Sequence, residues 1–364
     1  MLLREITSFL EELAPTSLQE GYDNSGLLVG SPEMEVESAL ISLDCTEAII
    51  DEAIAKGCNL VISHHPIVFK GLKSFTGKNY VERVVMKAIK NDIALYAIHT
   101  NLDNIKTGVN KKIADRLGLE NLSILAPKAG ELQKLVTFVP KEHVDTVSKA
   151  LFEVGAGEIG NYDQCSFITE GMGSFRAGNS SQPFVGEKGK IHRESEYRLE
   201  VIFESFKKHR ILNALFKAHP YEEVAYYLQN TENIHQDIGS GMLGLLPAKM
   251  TFEDFMQHLK TSMDLKVVKA TKKVSDTVRR IALCGGSGSF LLSAARRHKA
   301  DIYITADFKY HEFFDAEDDI VIADIGHYES ERFTIDLLHD WLREKFSTFA
   351  LLKTEVITNP INFF

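Results

Sequence analysis

The residues of this chain best suited to chemistry are histidines and carboxylates gathered in a few short motifs. In Ser63-His64-His65-Pro66, two imidazoles stand side by side directly after the apolar run Leu60, Val61 and Ile62. Imidazole is a common ligand for Zn, Fe, Ni and related ions. Neighbouring side chains on an extended chain diverge, so the pair suits two ions better than one. In Ala97-Ile98-His99-Thr100-Asn101-Leu102-Asp103, Asp103 is a hard oxygen donor, although a turn aspartate is the plainer reading of that motif alone. His99 falls inside a strand end, as a core residue or a group supporting the ligands. In Asp324-Ile325-Gly326-His327-Tyr328-Glu329-Ser330-Glu331, His327 and Glu331 are four apart and share one helical face. Acids in that first turn would otherwise only complement the helix macrodipole.

His64, His65, His327, Asp103 and Glu331 together match the ligand count that two neighbouring divalent ions need, with positions left for water. Two such ions about 3.5–4 Å apart form a hydrolytic centre. Mixed imidazole and carboxylate donors leave Zn, Fe, Mn, Co and Ni open.

Three further motifs accompany these. Cys284-Gly285-Gly286-Ser287-Gly288-Ser289 runs from a strand into a helix. The N–H groups of Gly285, Gly286 and Ser287 could cradle a phosphate, or the glycines could serve only a tight turn. The segment has neither the Gly-Lys-Ser/Thr of a P-loop nor a full dinucleotide fingerprint. Thr305, Asp307, Lys309 and His311 follow another strand and are candidates for substrate contact or proton transfer. Among the histidines, His99 and His311 are the candidate proton carriers. In Gly21-Tyr22-Asp23-Asn24-Ser25-Gly26, Asp23 and Asn24 could enter the site, with turn chemistry the plainer account.

The elements that must position these residues alternate in type. Strands are expected at Ala39–Asp44, Asn59–His64 and Ile93–Thr100, and helices at Thr46–Lys56, Tyr80–Lys90 and Val109–Leu117. Thr46 suits an N-cap and Gly57 a C-cap. Short apolar strands alternating with helices imply parallel βαβ units. Parallel strands put all their carboxyl ends on one edge, where open α/β sheets bind ligands. Pro66 cannot donate to a ladder and ends its strand there.

After Pro127 and Gly130 the pattern changes. Strands are expected at Leu132–Val139, Glu196–Glu204 and Val224–Gln229, helices at Lys141–Val154 and Phe206–Lys217, and a hairpin with an exposed loop over Gly171–Gly189. The order β-α-β-β-α-β is the ferredoxin-like arrangement. Residues 127–231 therefore read as a domain inserted between residues 1–126 and 232–364. Beyond it the βα rhythm returns. Strands are expected at Arg280–Cys284, Asp301–Thr305 and Ile320–Ile325, and helices at Phe290–Lys299, Phe308–Phe314 and Ser330–Phe346. The first and third segments would then form one sheet. The fold class is α/β, in two sequence segments with an α+β insertion.

Bulk properties narrow the function. The 364 residues suffice for two or three domains, and the net charge of −10 argues against nonspecific binding to nucleic acid or anionic membrane. No stretch approaches the roughly 18 apolar residues of a membrane span. Residues 1–15 form an amphipathic helix rather than a signal peptide. The four cysteines lack C-x-x-C spacing, and this low usage suits a reducing cytoplasm. Cys58 and Cys284 read as small core residues.

In order along the chain, GYDNSGLLVG, SHHP, HTNLD, LCGGSG and GHYESE resemble the motifs of the GTP cyclohydrolase 1 type 2 homologue family, also called the NIF-three-like family. The resemblance spans almost the whole chain. It implies a dinuclear metal site on a three-layer α/β domain, with His64, His65, Asp103, His327 and Glu331 as ligands and Glu331 as their bridge. It also implies a PII/CutA-like insertion and a toroidal homohexamer with its metal sites facing an internal cavity. The expected activity is metal-dependent hydrolysis of a nucleotide or phosphorylated small molecule. The alternatives are a non-catalytic regulatory or metal-handling assembly, with the insertion binding a ligand or partner, and a chain that binds no metal.

Overall fold

A computed structural model describes residues 1–363. The chain divides into two compact units, one of Met1–Pro127 with Asp237–Phe364 and one of Lys128–Gln236.

The first unit is mixed α/β and carries two sheets. Its first sheet contains β1 (Gly26–Val29), β2 (Ser38–Ser42), β3 (Leu60–Ser63) and β4 (Ala94–Ala97). β2, β3 and β4 run parallel, and β1 closes the β4 edge antiparallel. Every residue of β3 and β4 is buried, as both faces of a covered parallel sheet require. The helices Glu47–Lys56 and Tyr80–Lys90 pack Ile49, Ile50, Val84 and Val85 against Leu40, Val61 and Leu95. Thr46 caps the first helix by accepting from Ile49 N–H, and Gly57 ends it with φ 69°. Asn79 caps the second helix in the same way.

In chain order the remaining strands are β5 (Glu120–Ala129), β6 (Leu132–Pro140), β7 (Ser166–Arg176), β8 (Ile191–Glu204), β9 (Tyr226–Asn230), β10 (Ile234–Thr251), β11 (Lys269–Ala270), β12 (Thr277–Ser287), β13 (Ile302–Ala306), β14 (Val321–Asp324) and β15 (Ala350–Lys353). β15 extends the first sheet beside β2, giving the order β1-β4-β3-β2-β15. The second sheet runs β11-β14-β13-β12-β10-β5. There β12, β13 and β14 are parallel, and β11 and β10 pair antiparallel on either side.

The sequence reading joined the two outer segments into one sheet; the structure makes two. Periodicity reports which residues are buried, not which strand edges pair. Here the edges are β1 and β15 in one sheet and β11 and β5 in the other, and among the described residues no strand of one pairs with a strand of the other. Two expected helices also differ. The run Ser330–Phe346 divides into His327–Glu331 and Thr334–Lys345, and the Phe308–Phe314 region is a 3-10 helix at Tyr310–Ala316.

The second unit holds β6, the helix Val144–Glu153, β7, β8, the helix Lys208–Ala218 and β9. Its antiparallel sheet has the order β7-β8-β6-β9. Leu135, Val139, Leu199, Val201 and Phe203 meet Val147, Leu151, Ile211 and Leu215 in its core. Among the described residues no helix is long and apolar enough to cross a membrane, and the four cysteines are free, Cys58 and Cys284 being buried.

Candidate metal centre

β3 ends at Ser63, but its pairing to β2 continues for two residues. His64 N–H donates to Ser42 O at 3.2 Å and His65 N–H to Leu43 O at 2.9 Å. The Ser63 hydroxyl closes the turn on His65 O at 2.8 Å. Both imidazoles are therefore held by the rigid middle of the sheet. Their ring centroids lie 4.9 Å apart, so they do not swing to opposite faces as a fully extended chain would send them. They separate by partner instead.

His64 is fully buried and gives its Nδ1–H to Ile98 O at 2.8 Å. Its Nε2 then faces Asp103 Oδ1 at 3.7 Å and Glu331 Oε1 at 3.9 Å. His65 gives Nδ1–H to Asp44 Oδ1 at 2.7 Å, and its Nε2 lies 3.0 Å from Glu331 Oε2. From the second sheet, His327 gives Nδ1–H to Asp307 Oδ2 at 2.6 Å. Its Nε2 stands 3.1 Å from Glu331 Oε2 and 3.3 Å from His65 Nε2. Glu331, four residues after His327 on one helical turn, thus sends one oxygen to each group. Asp103 closes the short helix Thr100–Asp103 that follows β4.

The donor set fits metal ions by two criteria. His64 Nε2 and Asp103 Oδ1 are buried and have no hydrogen-bond partner, a costly state for polar atoms unless something else satisfies them. In addition, ligand bonds of about 2.0–2.1 Å put tetrahedral donors roughly 3.4 Å apart. The spacings here run from 3.0 Å to 3.9 Å. Three sets of side chains bring their ligand atoms within 4.8 Å of one another: His64, Asp103 and Glu331; His65, His327 and Glu331; and His64, His65 and His99.

Electrostatics tell the same story. Burial opposes charge on His65, yet its bonds to Asp44 and Glu331 outweigh that and push it up to about 10. Burial likewise opposes charge on His327, and Glu331 with Asp307 pushes it up to about 9. Burial, then the charge on Glu331, raises Asp103 to about 7. Glu331 itself is held well below the ordinary range by His327, His64 and His65, against the effect of its own burial.

His99 stands 5.2 Å, centroid to centroid, from both His64 and His65. Its Nδ1–H goes to Asp23 Oδ1 at 2.8 Å. Asp23 also accepts from Thr100 N–H at 3.0 Å and from the Thr100 hydroxyl. Burial works against its charge, and these bonds still hold it well below the usual carboxylate range. The polar turn Gly21–Gly26 thus enters the site through Asp23.

The glycine turn has another use here. Gly285 N–H donates to Asn110 Oδ1 and Gly286 N–H to the Ser330 hydroxyl, both at 2.9 Å. Those two donors are therefore engaged within the protein. Gly286 has φ +61°, and a Cβ on it would lie 2.3 Å from Glu331 Oε1. The glycine leaves room for the carboxylate that both groups share. Gly285 and Ser287 line the adjoining cavity, whereas His311 does not. His311 is exposed against Tyr310 and Phe314.

That cavity has a volume of about 680 Å³. Tyr22, Phe69, Tyr80, Phe290 and Tyr328 give it aromatic walls. Thr358 and Asn359 also line it, bonded to Asp44 at 2.5 Å and to Glu329 at 2.9 Å. Sequence reasoning missed Asp44 and these tail residues. Asp44 ends the ALISLD strand on the same rim as the histidine pair, which was a usable signal; the tail carried none.

Comparison with known proteins agrees over the full chain. The Duf34/NIF3 (NGG1p interacting factor 3) family model matches residues 1–360. A GTP cyclohydrolase 1 type 2 homolog of Halalkalibacterium halodurans is 37% identical over 363 residues, covering 98% of each chain. One of Bacillus subtilis is 36% identical over 366 residues, covering 99% of this chain and 98% of its own. The crystal structure of a Bacillus cereus protein related to NIF3 superposes with a TM-score of 0.86 at 37% identity, covering 100% of this chain and 99% of that one. With that match along its length, the chain belongs to the Duf34/NIF3 family.

Proposed function

We propose that the chain holds two divalent metal ions and hydrolyses a small molecule of about nucleotide size. The observation that carries this reading is the pair of donor groups sharing Glu331, with His64 Nε2 and Asp103 Oδ1 left without protein partners. His64, Asp103 and Glu331 would hold one ion, and His65, His327 and Glu331 the other. When bound, such a pair supplies Lewis acidity and acidifies water. Asp44 and Asp307 fix the rings of His65 and His327 so that each Nε2 faces inward. Asp23 does the same for His99, whose Nε2 is left to exchange a proton with substrate.

The cavity walls bear on the substrate. Five aromatic side chains offer flat apolar faces, and no Lys or Arg lines the cavity among the described residues. A chain of phosphates would find no ammonium or guanidinium there. Phosphate oxygens would have only the two metal ions to meet, and the aromatic walls favour a flat ring, a nucleoside or nucleotide base, as the part that lies against them. The relatives' name, GTP cyclohydrolase 1 type 2 homolog, points to opening of a purine ring, which these walls would suit.

Elemental analysis of protein purified without chelator tests the metal reading, with about two equivalents per chain expected. Turnover is then sought with the metal-loaded chain on GTP, other nucleotides, nucleosides and phosphoesters. Activity that disappears in Glu331→Gln supports the hydrolase. Bound metal with no turnover across the panel overturns it in favour of a non-catalytic metal-handling assembly. That second reading draws on the glycine turn, two of whose N–H donors are already taken.

We also read the second unit as ferredoxin-like and of the PII/CutA kind, on its β-α-β-β-α-β order and its sheet order β7-β8-β6-β9. The family resemblance of the motifs extends the proposal to a toroidal homohexamer in the cytoplasm. Light scattering on the eluting protein tests the hexamer, and a monomer at micromolar concentration overturns it.

A further inference from the structure

The second unit has a cavity of its own, of about 640 Å³, within the usual range for small-molecule sites. Its floor is the carboxylate of Glu196 on β8, a side chain only 7% exposed. Gly173 on the neighbouring strand β7 makes room for it, since a Cβ at that position would lie 2.0 Å from Glu196 Oε2. The Tyr221 hydroxyl donates to Glu196 Oε1 at 2.8 Å. Burial, then the charge on Glu196, holds the Tyr221 phenol well above its ordinary range, so it stays a donor.

The other oxygen of Glu196 receives no hydrogen bond among the described residues, and no Lys, Arg or His pairs with it. Two nearby cations are matched elsewhere, His192 with Glu194 and Arg198 with Glu200, each at 2.8 Å, while Arg176 lines the same cavity with no ion pair among the described residues. That oxygen is open to the cavity, and a carboxylate largely withdrawn from water gains from a counter-charge beside it. Aromatic rings stand around it. Phe175 and Phe184 lie 6.2 Å and 6.1 Å from Tyr221, centroid to centroid. Ring faces attract cations, and Glu222 and Glu223 add negative charge to a lining that also holds Glu170, paired with Lys141, and the cations Arg176 and Arg198.

We propose that this cavity binds a small organic cation, an ammonium or amidinium on an apolar body. Its N–H group donates to Glu196, and its body lies against Phe175, Phe184 and Tyr221. The inference is independent of the metal centre, since every residue it uses belongs to the second unit.

The test is calorimetric titration of the full-length chain with benzamidinium, phenethylammonium and, as a neutral control, benzamide. At least one cation should bind saturably at one per chain, and benzamide should not. Glu196→Gln keeps the shape and removes the charge, and should weaken that binding at least tenfold. Tyr221→Phe should weaken it severalfold, with its thermal melt unchanged, and decides the matter if Glu196→Gln fails to fold. Failure of both cations to bind overturns the proposal. So does equal binding by benzamide, or binding unchanged in the folded variants.

Discussion

In the first half of the larger unit, β2, β3 and β4 run parallel and β1 closes the edge antiparallel; in the second, β12, β13 and β14 run parallel and β11 closes the edge. Over these four strands the two sheets repeat one topology. They also repeat one device: an aspartate after one strand orients a histidine after the next. Asp44, past β2, receives the Nδ1–H of His65, past β3. Asp307, past β13, receives that of His327, past β14. The cargo differs. The first half adds His64 and Asp103, and the second adds Glu331 and the glycines that admit it. Neither of the two groups that share Glu331 is complete within one half. A site divided in this way exists only when both sheets are docked, so metal retention reports on the packing of the whole unit.

The comparison breaks most completely at Glu331, the one residue that serves both groups. Glu331→Gln keeps the volume and removes the shared charge. We expect metal affinity at both positions to fall by more than about 100-fold, beyond the loss typical of a supporting residue. Elemental analysis after dialysis measures it. Retention of one full equivalent would show that one half holds an ion without the other.

Gly286→Ala tests the same dependence from the backbone. Its Cβ would collide with Glu331 Oε1, and its φ of +61° is unfavourable to alanine. Gly118 is the control, with φ +66° and nothing within 4 Å of a built Cβ. Both substitutions should cost roughly 1–2 kcal/mol for the left-handed conformation. Only Gly286→Ala should also lose metal. Urea midpoints and metal content, measured on both proteins, separate the two effects.

The paired aspartates sharpen the comparison. Asp44→Ala and Asp307→Ala each free an imidazole to rotate, and each should weaken metal binding about 10- to 100-fold. Asp44 should have the larger effect, because its side chain is 33% exposed against 48% for Asp307. Equal effects measured by competition with a chelator would mean that burial does not set the strength of this support.

Much of the first half was legible because its signals are local. The run Leu60–Ile62 before His64 and Pro66 marks a buried strand and its end, and Thr46 and Gly57 mark the limits of a helix. The i, i+4 spacing of His327 and Glu331 is equally local and places both on one face. What could not be read depends on strand order. Asp44 meets His65 across 21 residues because the parallel β2 and β3 end together, and Asp23 meets His99 across 76 because antiparallel pairing sets the start of β1 beside the end of β4. The glycine turn misled for a related reason: its donors look free until Asn110 and Ser330 arrive from distant helices.

The smallest expected effect lies where the two halves differ in their crossovers. After β13 the chain turns at once, with Asp307 at φ 59°. After β3 it makes a long excursion before the helix Tyr80–Lys90, and this loop carries Phe69 and leads to Tyr80 on the cavity wall. Glu82 holds the end of the loop by accepting from Thr76 N–H at 2.9 Å, from the Thr76 hydroxyl at 3.0 Å and from Lys78 N–H at 3.3 Å. The Thr76 N–H bond first, with its hydroxyl and Lys78, draws Glu82 down to about 2. A depressed carboxyl contributes stability that is present above its unfolded value of 4.5 and is lost as pH falls through about 2. Glu82→Gln should therefore lower the urea midpoint at pH 7, and the gap to the parent chain should close between pH 4.5 and 2. If the loop also sets the cavity wall, the variant should be cut faster by protease between Val68 and Asn79 while its metal content stays unchanged. Metal loss in Glu82→Gln would mean instead that the long crossover of the first half bears on the ions themselves, an influence the short turn after β13 has no length to exert.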